Sequence, residues 1–303
     1  MAINTKAIKT RIQSVENTKK ITRAMQMIAA VKMKKAVNAA IRTREYSELS
    51  YDLMRNLAGT ELNHPLAKIR KAKNCLLIVH TSNRGLCGSY NANITRSVSE
   101  YIDNNSDVNF SMIALGNKAA RVAKNYNLEL VGLYEKLNEN PKYEDIIPLA
   151  KEMTDKFIDN DIDQVIVAYT NYISGLNQQV ELREILPFKK KSIEDFYKNA
   201  GSRNESEEIG EKGIDSKDEY EFEPKKSEVL KYIIPILVEI QLYQALLEST
   251  ASEHSSRMIA MKNASDAAGD MIDDLTLQFN KGRQAAITQE ISEIVAGASA
   301  LDN

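Results

Sequence analysis

The chain reads as an α/β protein carried between two long helices. Three observations lead there. Helical hydrophobic stripes with almost no helix breakers occupy both ends of the sequence. Short apolar runs alternate with amphipathic stretches between them. A stretch rich in glycine, serine and acid, Ala200 to Lys217, precedes the return to the helical pattern.

The N-terminal helix is predicted over residues 1–60. No proline occurs from Ile3 to Leu57, and no glycine before Gly59. Ile8, Ile12, Val15, Thr18, Ile21, Met25, Ile28 and Ala29 mark one face, while Lys6, Lys9, Arg11, Lys19, Lys20, Arg23, Lys32, Lys34 and Lys35 occupy much of the remainder. Two consecutive steps of three between Val15 and Ile21 predict a slip of heptad register, which changes the local winding of a coil. The C-terminal helix is predicted over residues 225–303, with no proline after Pro235. Ile236, Ile240, Tyr243, Leu247, Ala251, His254, Met258, Met261, Ser265, Ala268, Ile272, Leu275 and Phe279 recur in steps of three and four, and Ile287, Ile291, Ile294 and Ala298 resume the pattern. A stripe this long predicts a supercoiled helix, on the order of 100 Å at 1.5 Å per residue. Such a rod needs a partner along its side, and the N-terminal helix is the one this chain offers, as an antiparallel coiled coil.

The middle, residues 74–190, changes period. Cys75 to Val79 is a continuous apolar run, the mark of a strand covered on both faces. Asn83 to Asn91 is a glycine turn, followed by a helix from about Ala92 to Ile102. Further strands are expected at Phe110 to Leu115, Leu128 to Leu133 and Val165 to Tyr169, with helices at Lys118 to Asn125 and Glu144 to Phe157 between them. Gln179 to Leu186 alternates as an edge strand does. Strands and helices in alternation with short loops predict a Rossmann-like α/β domain with a mainly parallel sheet. Residues 191–224 close this part of the chain. Ala200 to Lys217 is rich in glycine, serine and acid and reads as an exposed loop, and Tyr220 to Pro224 reads as a short strand stopped by proline.

Composition excludes several classes of function. The chain has 303 residues, 43% hydrophobic and 27% charged, with a net charge of −2 that gives no general attraction to nucleic acid. The charge is uneven: Glu16 is the only acid in the first 44 residues, while Glu205 to Glu223 is strongly acidic. Lysine outnumbers arginine at the N-terminus and the helical pattern runs on through Met33 and Ala36, so this segment reads as a helix and not as a transit peptide. No run of about eighteen uncharged apolar residues is present, so no membrane span is expected. Cys75 and Cys87 are too few for a disulfide framework and read as structural thiols. His64, His80 and His254 are scattered, and no metal site is expected.

Two features resemble ligand sites and fall short of the chemistry. Gly85 and Gly88 follow the first strand, but a dinucleotide fingerprint needs a third glycine, and a phosphate loop needs Gly-Lys followed by Ser or Thr. The turn is read as one that lets a helix pack on the sheet. Asp155, Asp159, Asp161 and Asp163 lack the glycine and terminal glutamate of a calcium loop and read as a solvated helix end. No nucleophile is paired with a base, so no catalytic residues and no cofactor are expected. The residues alone leave a nucleotide-binding enzyme with helical arms, and a coiled-coil scaffold, as alternatives.

Four segments carry a family resemblance. Asn17 to Ala30, Gly85 to Asn91, Ser256 to Ala264 and Arg283 to Glu290 resemble, in order, the N-terminal segment, glycine turn and C-terminal segments of the gamma subunit of the F-type ATP synthase. The similarity covers essentially the whole chain except Ala200 to Lys217. It implies a rotor: the terminal helices form a shaft inside a ring of three alpha and three beta subunits, and the α/β domain sits outside with the epsilon subunit on the c-subunit ring. Ion flow turning the c ring would turn the shaft, and the shaft would drive the catalytic beta subunits through states of different nucleotide affinity. Met25, Arg257, Gln284, Thr288 and Glu290 match family positions that contact beta. Tyr220 and Phe222 fall in the region implied to contact the c ring or epsilon. Small residues Ala296, Gly297, Ala298 and Ser299 would suit a low-friction bearing at the tip. The insertion has no cysteine, so the thiol control of plant chloroplast relatives is not expected. A bacterial complex at the cytoplasmic face of the cell membrane, with this subunit peripheral, completes what the resemblance implies.

With no phosphate loop or catalytic base, the isolated chain should bind ATP negligibly. Titration calorimetry checks this, and a Kd at or below about a micromolar, roughly −8 kcal/mol, would contradict the shaft reading.

Overall fold

The computed structural model describes residues 5–56, 64–138, 141–189 and 226–301. They form two compact units: Met1–Ala30 with Arg257–Asn303, and Val31–Ser256. Two helices contribute to both, α1 (Thr5–Asn56) and the last helix, Lys226–Leu301.

In the first unit these two helices pair through one covered stripe each. On α1 it runs through Ile8, Ile12, Val15, Lys19, Thr22, Gln26 and Ala29, all half-buried or buried. On the last helix it runs through Met258, Met261, Ser265, Ala268, Ile272, Leu275, Phe279 and Gly282. Both alternate steps of three and four without interruption, so the register slip expected between Val15 and Ile21 does not occur. Thr18 is exposed, and Ile21 and Ile28 are 60% and 58% exposed. The reason is local. A Cβ placed on Gly269 would lie 2.9 Å from Lys19 Nζ, so the missing side chain leaves room for the lysine stem to lie along the seam. A lysine therefore holds a seam position that an apolar count assigns to its neighbours. Thr22, Ala29, Ser265 and Ala268, all small, are buried.

In the second unit a five-stranded sheet has the order β3-β2-β1-β4-β5. Its strands are β1 (Asn74–His80), β2 (Asn109–Leu115), β3 (Glu129–Tyr134), β4 (Gln164–Tyr172) and β5 (Gln178–Leu186). The first four run parallel, and β5 returns antiparallel to β4 at the edge. The crossovers are α2 (Tyr90–Asn104), α3 (Ala120–Asn125) and α4 (Tyr143–Ile158), so every strand and helix expected here is present within a few residues. The last helix is α5. Alternation along β1 sorts the layers: Leu76 and Ile78 join α4 and α5 through Ile146, Leu149, Phe157, Ile234 and Val238. Leu77 and Val79 join α2 and α3 through Ile94, Val98 and Val122. The sheet is thereby covered on both faces, as its near-continuous apolar central strand requires.

Two details refine the sequence reading. Asp163, read as part of a solvated helix end, accepts hydrogen bonds from the N–H groups of Lys73 and Asn74 at 3.0 and 3.1 Å and so pins the start of β1. α5 is long and apolar enough by composition to cross a membrane, but 56% of its most apolar window is buried within the protein. The acidic loop Ala200 to Lys217, Tyr220 and Phe222 lie outside the described residues.

Both cysteines are buried. Burial, with the nearby Glu184 carboxylate, pushes the Cys75 thiol up to about 12. At pH 8 such a thiol is thiolate to roughly one part in ten thousand. Iodoacetamide at that pH should therefore leave Cys75 unmodified in the folded chain and modify it readily in denaturant. Peptide mass spectrometry reads the difference, and equal labelling rates would show that Cys75 is not held in the core.

Candidate functional site

In an open α/β sheet, ligands bind at the carboxyl ends of neighbouring strands whose connections leave in opposite directions. Here those strands are β1 and β4, because the chain leaves β1 towards β2 and β3 and returns beside it as β4. The glycine turn caps β1. Leu86 and Gly88 adopt left-handed φ values of 62° and 58°, which turn the chain sharply into α2. Its polar groups point inward: Asn91 accepts from the Ser82 N–H at 3.0 Å and donates to Ser82 Oγ at 2.7 Å and Cys87 Sγ at 3.1 Å. Thr81 Oγ1 accepts from the Ala119 N–H at 2.7 Å.

The crevice between the strand ends is filled by α5. The β1–β4 ladder ends at Val79 and Ala168, so β4 runs on without a strand on that side. Two residues further, the Thr170 N–H donates to Ser249 Oγ at 3.1 Å, and Ser252 Oγ donates to the Thr170 carbonyl at 3.1 Å. Helix hydroxyls thus take the two backbone groups that a longer β1 would have paired. Each such bond contributes about 0.5–1.5 kcal/mol, and leaving a buried partner unsatisfied costs more. Ser249 also bonds Tyr90 OH at 2.8 Å, and Tyr90 OH bonds His80 Nδ1 at 2.9 Å. Complete burial, then the proximity of His254, lowers the His80 pKa to about 3, so this ring is neutral at neutral pH.

A second, partly buried group lies along the β4–β5 hairpin. Glu181 accepts from Tyr169 OH at 2.9 Å and from Arg183 Nη2 at 2.7 Å, and the Arg183 guanidinium stands 5.2 Å from the centre of the Tyr169 ring. Glu248 on α5 accepts from Gln244 at 3.0 Å and adds its field at Arg183. These acids, bases and hydroxyls are engaged with one another, in an arrangement that fixes a helix to a sheet. The sequence reading missed Tyr90, Thr170, Ser249, Ser252 and Ser255. The available signal was the polar run Glu248 to Ser256 inside an unbroken helical pattern.

The site residues expected from the sequence fall elsewhere. Met25 and Arg257 are half-buried in the first unit, with Met25 flanking the seam between Thr22 and Ala29. Gln284, Thr288 and Glu290 lie beyond the seam, in a stretch of α5 from Arg283 to Ala296 where every residue is exposed. Thr288 Oγ1 donates to the Gln284 carbonyl at 2.9 Å, which places these two on successive turns of one side. Ile287, Ile291, Ile294 and Val295 are exposed on the same stretch, Ile294 by 70%. Among the described residues, therefore, none covers the stripe that resumes at Ile287.

The family model described as ATP synthase matches residues 4–301. The ATP synthase gamma chain of Herpetosiphon aurantiacus is 38% identical, over 97% of this chain and 98% of its own. That of Heliobacterium modesticaldum is 39% identical over the same shares. Among solved structures, a chain of the Euglena gracilis mitochondrial ATP synthase rotor superposes with a TM-score of 0.62 at 17% identity, over 93% of this chain and 98% of that one. A chain of the Tetrahymena thermophila mitochondrial ATP synthase central stalk and c ring gives 0.56 at 23%, over 81% and 99%. These two likenesses are of fold. At these identities over nearly its whole length, the chain belongs to the ATP synthase gamma-chain family.

Proposed function

We propose that the chain is the central rotating shaft of an ATP synthase at the bacterial cell membrane. It turns within three alpha and three beta subunits and couples ion flow through a c ring to ATP synthesis, or ATP hydrolysis to ion pumping. The observation that carries this reading is the change in cover along α5. Its seam with α1 ends at Gly282, and Arg283 to Ala296 then continues as a helix exposed on every side, with four large aliphatic residues. A helix with such a face, uncovered by any described residue, calls for a partner to enclose it. The structural relatives, chains of an ATP synthase rotor and of a central stalk with its c ring, support a place in that rotary machine.

In this reading the subunit has no catalytic residues and works by position. Gln284, Thr288 and Glu290 contact beta during part of the cycle, and Met25 and Arg257 contact it nearer the seam. Tyr220 and Phe222 contact epsilon or the c ring. Residues 1–60 and 225–303 serve as the shaft, residues 74–190 as the globular body and residues 191–224 as its exposed loop. Torque reaches the tip only if the helix is stiff in torsion, which a backbone hydrogen-bond ladder free of proline beyond Pro235 supplies.

Two measurements test the shaft. Hydrogen exchange at Arg283 to Ala296 should be fast in the free subunit and slow in the assembled complex, and equal protection would mean that this segment is not enclosed. Leu275→Pro removes a backbone hydrogen bond and a side chain buried in the seam, at a cost of about 3 kcal/mol or more. In complexes shown by native gel to be assembled, ATP hydrolysis should partly survive while ion pumping and ATP synthesis fall much further. Pumping per ATP equal to the parent would refute transmission through this coil.

A further inference from the structure

We propose that a ladder of serines on α5, Ser249, Ser252, Ser255 and Ser256, is the point at which torque passes from the α/β body into the shaft helix. The inference rests on the shaft reading and names the residues that make it mechanically effective.

Between Gln241 and Ser255, every residue of α5 except the half-buried Tyr243 is buried. A helix enclosed on all sides is ordinarily apolar all round. This one instead buries Gln241, Gln244, Glu248, Ser249, Thr250, Ser252, Glu253, His254 and Ser255. The serines share a direction and a target. Ser249 and Ser252 hold the two backbone groups of Thr170 in β4, Ser255 Oγ donates to the Gly175 carbonyl at 2.7 Å in the β4–β5 turn, and Ser256 Oγ donates to Gln178 Oε1 at 2.5 Å at the start of β5. Spaced at i, i+3 and i+6, the first three lie on neighbouring turns of one helix side. They follow a single hairpin from strand to turn to strand. Tyr90 ties the same point to the start of α2.

The mechanical consequence comes from the kind of bond. Apolar packing is non-directional and opposes separation more than rotation about the helix axis. A hydrogen bond weakens steeply as its angle departs from linear, so it resists rotation directly. Three of these four bonds end on backbone atoms of Thr170 and Gly175 and cannot follow a turning helix by changing rotamer. An apolar α5 would be held as firmly in place but could slip under torque. The serines are therefore positioning residues that set the torsional stiffness of the junction.

The test uses the assembled enzyme with its alpha–beta ring fixed and a probe on the α/β body of this subunit. Angular fluctuations of the probe at a stalled position give the torsional stiffness, and ATP hydrolysis and ion pumping are measured alongside. Ser249→Ala, Ser252→Ala and Ser255→Ala combined should lower the stiffness at least two-fold and reduce pumping per ATP hydrolysed. Hydrolysis itself should stay within two-fold of the parent. The single variants Ser252→Ala and Ser255→Ala should each give a smaller loss, which keeps the test open if the triple variant fails to assemble. Ser255→Thr, which restores a hydroxyl, should recover the parent value. Val98→Ala in the core on the opposite face of the sheet supplies a control of comparable destabilisation. Stiffness unchanged in the assembled alanine variants, or lowered equally by Val98→Ala, would overturn the assignment. Failure of the parent probe to rotate against the ring would instead refute the shaft reading on which the assignment rests.

Discussion

Continuity of one α-helix, Lys226 to Leu301, is the constraint on which the rest of the structure depends. A helix cannot change its period or shed its backbone bonds at will, so its surroundings must adapt along its length. The chain meets this with side-chain chemistry alone. Between Gln241 and Ser255 the helix is enclosed and carries hydroxyls, amides and carboxylates. From Met258 to Gly282 one stripe is covered, and it combines large apolar side chains with serine, alanine and glycine. From Arg283 to Ala296 no residue is covered, yet isoleucine and valine persist. The helix also runs through Pro235, whose missing N–H is tolerated beside the buried Ile234, Leu237 and Val238.

The sheet depends on the same helix for its completeness. β1 is shorter than β4 at the carboxyl end, which leaves backbone groups of Thr170 without a strand partner. Buried backbone groups are rarely left unpaired, because losing water without gaining a bond is costly. Ser249 and Ser252 resolve this from α5, and in doing so they occupy the crevice where related architectures take a ligand. A fold suited to nucleotides becomes a socket for a helix. The glycine turn that suggests a phosphate site serves to direct α2, whose first residue, Tyr90, reaches the same serine.

Strands and crossover helices were legible because each carries a short local signal. Cys75 to Val79 is apolar without a break, and Gln179 to Leu186 alternates, so covered and edge strands differ by inspection. The pairing of the terminal helices was legible for the same reason, since Met258 to Phe279 repeats in threes and fours over several turns. Errors arose where residue type and burial part company. Ile21 and Ile28 look like seam residues and face outward, while Lys19 looks exposed and lies against Gly269. A lysine stem is long enough to line a seam while its charge reaches water, and only the glycine opposite makes that possible. Ser249 and Ser252 carry no local sign of their burial, because hydroxyls are usually exposed and their partner, Thr170, lies far away in sequence.

The sequence by itself determined the elements, their order and the family, since periodicity and motif spacing are local properties. Only the tertiary structure decided which side of each element is covered and by what. Burial of Lys19 depends on Gly269, and burial of Ser249 and Ser252 depends on where the β1 ladder stops beside Thr170. Those are relations between residues distant along the chain, and no local pattern encodes the end of another element's hydrogen-bond ladder. The exposed stretch from Arg283 to Ala296 has the same origin. Isoleucine and valine persist there as they do in the seam before it, and only the arrangement of the described residues shows that none of them covers it.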